Sequence, residues 1–406
     1  MQFSYMGTKR YLAPRVAELV AECRSGPFLD LFSGTCALAT SVGMARPIWS
    51  NDVQLFASEV ARALTQSKGL PIRSSQSADL LVSDYQNNYA ALHKRWQKCY
   101  EMEESLLVDG SFQSIEEFES SIPNVRDHRN MEIERRRLAK APDTFPYRLF
   151  SISYAGSYFG LKQCFQIDSI RFAINRGYRA RKLSVTDRRW LLLALCQSMV
   201  RSSATTGHFA QCLKINSKNG KRYLAQRRQS VWANMLDALD EFKPIGASTW
   251  RAENRVFRRD ASSLLQYLQN RKESPAVIYA DPPYTGDQYS RYYHIYETLL
   301  LYDYPSCDGI GRYRPNRFCS DFSLKRKFLP AFELLAKRAA ELTSELIVSY
   351  PEKGLIDNAE DHVLKILGDN FKFVREPYVL DHVHSSLGAS NSGYQNPVRE
   401  LLFYAR

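Results

Sequence analysis

No apolar run in this sequence approaches the roughly 18 residues needed to cross a bilayer, and the N-terminus has no apolar core of the kind a signal peptide carries. Both absences point to a cytoplasmic protein without a membrane partner. The cysteines, at 23, 36, 99, 164, 196, 212, 307 and 319, form no C-x-x-C pair and have no histidine-rich neighbour at metal-ligand spacing. They read as reduced thiols, most of them packing residues, and no metal is expected. Nor is there a G-x-x-x-x-G-K-[ST] loop, an internal repeat or a nuclease constellation, so strand cleavage is not supported.

What is present is a globular composition with an uneven charge. At 406 residues, 44% hydrophobic and 12% aromatic, the chain can bury a sizeable core, and its length suits one large domain carrying an inserted second one. The net charge is +12, yet residues 121–230 alone hold 22 Lys and Arg against 6 Asp and Glu, a net of +16, which leaves the remainder at −4. A single-sign segment is the expected footprint of a polyanion, because neutralised phosphates release counterions. A merely solvated face explains it less well, since such faces usually mix signs.

Val277–Tyr284, V-I-Y-A-D-P-P-Y, is an apolar β-prone run that stops at an acid, two prolines and an aromatic ring. Proline has no N–H and a fixed φ, so Pro282 and Pro283 end the strand and leave carbonyls with no donors beside them. Asp281 adds a carboxylate. A carboxylate and a neighbouring carbonyl together accept both hydrogens of an exocyclic amine, draw it towards tetrahedral geometry and free a lone pair otherwise delocalised into the ring. Tyr284 supplies a flat face for a heterocyclic base. The competing account is a plain strand-ending turn, which average composition makes rare: roughly one chain of this size in several hundred.

Near the N-terminus, Phe28–Phe32 is an apolar strand pattern interrupted by Asp30, and Ser33-Gly34-Thr35-Cys36 then turns tightly into a small-residue helix, Ala37–Ala45. Strand, glycine turn and helix start let a backbone approach a nucleoside closely, which makes Phe32, Gly34 and Thr35 candidate contacts. About twenty residues on, Pro47–Asp52 reads as a second strand ending in an acid, at the interval where doubly wound folds place an acceptor for ribose hydroxyls. Asp52 is that candidate. Before both, Ser4–Arg10 (S-Y-M-G-T-K-R) precedes an amphipathic helical pattern at Leu12, Val16, Leu19 and Val20. Gly7 and Lys9 there can receive a carboxylate through backbone N–H groups, the helix dipole and a point charge, with Tyr5 packed alongside. Arg255–Asp260 has the look of a third strand ending in an acid, with a helix behind it at Ser263–Leu268.

Together, Y-M-G-T-K, the D-L-F-S-G-T of Asp30–Thr35 and the D-P-P-Y turn resemble the motifs of the Dam-like, D12-class DNA adenine-N6 methyltransferases. The likeness covers residues 1–60 and 255–300 well and the last hundred loosely. It implies an α/β fold, Rossmann-like and S-adenosylmethionine-dependent, with an inserted, mainly helical target-recognition domain. Residues 1–66 and 251–406 would form the methyltransferase domain and 67–250 the insertion. The implied cofactor site comprises Tyr5, Gly7, Lys9, Asp30, Phe32, Gly34, Thr35, Asp52, Asp260 and Asp281, with Lys9 at the methionine carboxylate and Asp260 at the adenine amine. Asp281, Pro282, Pro283 and Tyr284 would be catalytic. The implied partner is double-stranded DNA, read sequence-specifically, with the target adenine flipped out of the stack. One departure bears on cofactor affinity: related chains often carry a second glycine where this one has Cys36.

Inside the basic segment, Ser151–Ile170 is dense in aromatics and is followed by Arg171, Arg176, Arg179 and Arg181. Aromatics interleaved with arginines suit base stacking and phosphate contact, although a single one, such as Tyr154 or Phe159, is better read as core. After the turn, Arg291, Tyr292 and Tyr293 are near enough to cover a flipped base. An amphipathic helix at Phe328–Leu342, a strand at Leu346–Pro351 and strand patterns at Phe371–Val374 and Leu401–Tyr404 complete the sheet, with antiparallel last members. Two rivals stand: the same chemistry on RNA, and a non-catalytic DNA-binding protein on this scaffold, which full retention of D-P-P-Y disfavours.

Overall fold

The computed structural model describes residues 11–384 and 396–406. They divide into two compact units. One takes Leu70–Lys243 with Arg291–Arg317, and the other takes the described residues before Leu70 with Pro244–Ser290 and Phe318–Arg406.

The second unit holds β1 (Phe28–Asp30), β2 (Ile48–Asn51), β3 (Arg255–Phe257), β4 (Val277–Ala280), β5 (Glu345–Pro351), β6 (Val374–His384) and β7 (Asn396–Ala405), in one sheet of order β3-β2-β1-β4-β5-β7-β6. β1 to β5 are parallel, while β7 runs antiparallel to β5 and β6. This is a mixed α/β unit on a mostly parallel sheet. β1, β2, β4 and β5 are buried along their whole length, as expected of strands covered on both faces. Strand register aligns Leu29, Ile278, Leu346 and Ala405 in one row and Ala280, Val348 and Phe403 in the next. Leu264 and Leu268 of helix Ala261–Asn270, Phe328 and Phe332 of helix Lys325–Glu341, and Val363 and Leu367 of helix Ala359–Asn370 cover that face. Each such side chain contributes about 1.5–3 kcal/mol on burial.

From β1 the chain builds outwards through β2 to β3, then returns to the other side of β1 to lay down β4 and β5. Strand order therefore reverses between β1 and β4, and at such a switch the outgoing loops diverge and leave a crevice at the carboxyl ends.

Local boundaries differ from the sequence patterns for identifiable reasons. The helix expected over Ala37–Ala45 ends at Val42 and tightens into a 3-10 turn at Gly43–Ala45, where Gly43 takes a φ of 71°. β3 stops at Phe257 rather than Asp260 because Asp260 caps the following helix, accepting the Ser263 N–H on Oδ1 at 3.2 Å. The strand expected at Phe371–Val374 begins only at Val374.

In the other unit, helix Leu161–Arg179 packs against helices Ser74–Arg95 and Val185–Ser202. Asp168, fully buried, accepts from the N–H groups of Phe150 and Ser151 at 2.9 and 2.8 Å, the Ser151 hydroxyl at 2.6 Å and the Tyr302 hydroxyl at 2.6 Å. Tyr154, Tyr158 and Phe159 are buried too, so the aromatic density of this stretch is core. Arg291–Arg317, expected from the sequence to stay with the C-terminal portion, packs here through Tyr302 and through the Leu299 carbonyl, which accepts from Arg171 Nε at 3.1 Å. No helix among the described residues is long and apolar enough to cross a membrane.

Candidate functional site

Four acids mark the carboxyl ends of neighbouring strands: Asp30 closes β1, and Asp52, Asp260 and Asp281 follow β2, β3 and β4. All four line one cavity of about 990 Å³, measured out to its open mouth, together with Phe32, Gly34, Thr35, Pro282, Pro283 and Tyr284. Such a volume suits a nucleoside-sized ligand.

Asp30 is 4% exposed, and its Oδ1 has no hydrogen-bond partner among the described residues. Burial pushes its carboxyl up to about 8; the charge of Asp281 adds to the rise, the Phe32 N–H opposes it, and Asp52 adds a little more. Asp52 has a second task beside any ligand. Its Oδ2 accepts the Gly34 N–H at 3.1 Å and its Oδ1 the Gln54 N–H at 2.8 Å, which ties the glycine turn to the end of β2. Gly34 sits at a φ of 47°, the left-handed region that favours glycine.

Cys36, the departure from the expected motif, also lies in that region, at a φ of 61°, and is buried. Burial pushes its thiol well above the usual range. It is not part of the cavity wall, whereas Thr35 and Ala37 are. A side chain here therefore costs left-handed strain, on the order of 1–2 kcal/mol, without blocking the cavity.

Asp281 is held by a residue that sequence reasoning missed. Ser349 Oγ donates to Asp281 Oδ1 at 3.1 Å and lies 2.7 Å from the Tyr279 hydroxyl, which is left to donate to it. Ser349 and Tyr279 are both buried. The one signal was a serine in the otherwise apolar interior of β5, E-L-I-V-S-Y-P. Asn51 was missed too: its Nδ2 donates to the carbonyls of Leu31 and Arg259 at 3.0 and 3.1 Å, and its Oδ1 accepts the Arg259 N–H at 3.2 Å. That amide spaces the ends of β1 and β3. Behind the D-P-P-Y turn, Gln288 and Ser320 bond reciprocally, Ser320 N–H to Oε1 at 2.7 Å and Nε2 to the Ser320 carbonyl at 3.3 Å.

Tyr5, Gly7 and Lys9 lie outside the described residues. Arg176, Arg179 and Arg181 are exposed at and beyond the end of helix Leu161–Arg179; Arg176 stands 3.9 Å from Asp84 and Arg179 pairs with Asp143. Arg171 is instead buried, its guanidinium spent on Asn175 and the Leu299 and Leu300 carbonyls. Tyr292 is buried against His208, ring centroids 4.8 Å apart, while Arg291 is exposed and donates from Nε to the Tyr313 hydroxyl at 3.0 Å.

Residues 5–354 match the D12 class N6 adenine-specific DNA methyltransferases, and the chain belongs to that family. It is similar to the Type II methyltransferase M.FokI of Planomicrobium okeanokoites, at 24% identity over 92% of this chain and 49% of that protein. It is also similar to the modification methylase StsI of Streptococcus sanguinis (22%; 98% of this chain, 51% of that protein) and the modification methylase LlaI of Lactococcus lactis subsp. lactis (23%; 98% and 54%). The chain spans about half the length of these curated relatives.

Proposed function

We propose that this chain methylates N6 of a flipped adenine at a specific sequence in double-stranded DNA, with S-adenosylmethionine as methyl donor, as the modification activity of a restriction–modification system in the cytoplasm. The observation that carries this reading is the pair of carboxyl groups, Asp30 and Asp281, at the carboxyl ends of the paired strands β1 and β4, one of them buried with an unsatisfied oxygen.

A buried carboxyl oxygen left without a donor is costly unless a cation or donor meets it. S-adenosylmethionine carries an ammonium, a sulfonium, an amine and ribose hydroxyls, so the acids present fit it. When bound, it supplies an electrophilic methyl group. Asp30, Phe32, Gly34 and Thr35 would hold its central part, Asp52 the ribose hydroxyls and Asp260 the adenine amine, with Tyr5, Gly7 and Lys9 at its carboxylate. Asp281 and the Pro282 carbonyl accept the two hydrogens of the target amine and free its lone pair. Ser349 fixes the rotation of that carboxylate, Pro283 keeps the turn rigid, and Tyr284 offers a face to the base. A base inside a duplex cannot reach the turn, so it must be extruded.

The Rossmann-like sheet unit is thus read as the methyltransferase domain and the helical insertion, 67–250, as the target-recognition domain. Its exposed arginines Arg176, Arg179 and Arg181, with Arg291, would meet phosphates, whereas the buried Arg171 and Tyr292 would not. Incubation with methyl-labelled cofactor and either plasmid DNA or RNA, followed by nucleoside analysis, tests the proposal. Label in DNA as N6-methyladenine is expected, and label confined to RNA or to N4-methylcytosine would contradict it.

A further inference from the structure

Asp30, Asp52, Asp260 and Asp281 share one cavity wall, and among its described residues Arg259 is the one cation. Arg259 is exposed, with its guanidinium carbon 4.3 Å from the ring centroid of Tyr267, which is not part of that wall. The wall therefore carries an excess of negative charge.

That excess is sharpest at Asp30 and Asp281. β1 and β4 pair with Asp30 opposite Tyr279, so Asp281, two residues further on, leaves the same end of the sheet. Ser349 donates to Asp281, whereas Asp30 keeps a buried Oδ1 with no partner among the described residues. The other titratable groups that act on Asp30 are Asp52 and the buried Cys36 thiol, and neither is a cation. Two like charges in a poorly solvated place are not both kept; one of the groups binds a proton instead. Asp30 shows this as a value raised to about 8, by burial first and by the charge of Asp281 second. At neutral pH the ligand-free protein thus holds a proton at a position open to a cation.

We propose that Asp30 and Asp281 hold a single positive charge throughout the reaction cycle: a proton in the ligand-free protein, the sulfonium of the methyl donor once it binds, and a proton again after transfer. This rests on the reading of the chain as an S-adenosylmethionine-dependent methyltransferase. The balance closes. The sulfur–carbon bond breaks with its electron pair left on sulfur, the N6 lone pair forms the new carbon–nitrogen bond, and the proton that N6 then sheds replaces the charge lost by sulfur. The pair thereby distinguishes the charged donor from the neutral thioether product, S-adenosylhomocysteine, which displaces no proton.

Calorimetry of each ligand in buffers of different ionisation enthalpy counts the protons released on binding. Both ligands carry the same ammonium, so the difference between them isolates the sulfonium. At pH 7 wild type is expected to release close to one proton more with S-adenosylmethionine than with S-adenosylhomocysteine. Donor affinity should rise by about ten-fold from pH 6 to 7 and level off above about pH 8, while product affinity changes by less than about two-fold. Asp30→Asn should erase the difference in proton count. Asp281→Asn, which removes the neighbouring charge and leaves Asp30 in place, should reduce it by about half or more. Equal proton counts for the two ligands in wild type, or a difference that survives Asp30→Asn, would overturn the exchange. Should Asp30→Asn fail to fold, Asp281→Asn decides, and an undiminished difference there overturns it equally. Binding of both ligands without proton release removes this inference alone; binding of neither removes the proposed function and the exchange with it.

Discussion

Asp30 keeps its carboxyl almost wholly buried at the cavity wall, and that has a measurable consequence for stability. Its folded value, about 8, stands above the usual carboxylate range near about 4, so the unfolded chain holds fewer protons between those limits. Stability is then fully present below about pH 4, falls as pH rises towards about 8, and falls no further from this group above that. Replacing Asp30 with Asn should flatten this slope; melting temperatures from pH 5 to 8 that decline equally in both proteins would contradict the assignment. Ser349 makes the second prediction. Ser349→Ala should leave cofactor binding unchanged and slow turnover by about ten-fold through a carboxylate held by one hydrogen bond fewer, with no further loss when combined with Asp281→Ala. The acids were legible in sequence because each ends an apolar run. Ser349 was not, because a buried serine in a strand declares no partner until β4 and β5 are in register. Arg171 misled for the same reason: only the fold brings the Leu299 carbonyl to its guanidinium.

Among the elements, the ends of the parallel strands have to be held apart at a set spacing, and Asn51 does this between β1 and β3. Asn51→Ala removes three hydrogen bonds in a buried position and should destabilise the protein by about 2–3 kcal/mol in urea unfolding while weakening cofactor binding. A loss below about 0.5 kcal/mol would show that the Leu31 and Arg259 groups find other partners. The parallel strands themselves were readable, since V-I-Y-A and F-L-D are short apolar stretches bounded by turn residues. The placement of Arg291–Arg317 was not. Its mixture of tyrosines, leucines and arginines suits either unit, and the choice is made by contacts such as Tyr302 with Asp168, far apart in sequence.

For the molecule as a whole, the uneven charge is the feature on which affinity for DNA should depend. Replacing Arg176, Arg179 and Arg181 with alanine should weaken duplex binding at low salt and reduce the log–log salt dependence by about one for each phosphate no longer neutralised, leaving cofactor affinity unchanged. An unaltered salt slope would move the DNA surface elsewhere on the unit. The central claim, however, is that Asp281 grips the reacting amine while the cofactor is held largely by other residues of the same cavity. Asp281→Asn keeps the size of the side chain and removes its charge, so single-turnover methyl transfer to duplex DNA measured beside cofactor calorimetry separates the two roles. The account predicts cofactor binding within a few-fold of wild type and transfer slowed by about a hundred-fold or more; transfer at the wild-type rate in a folded variant would contradict it.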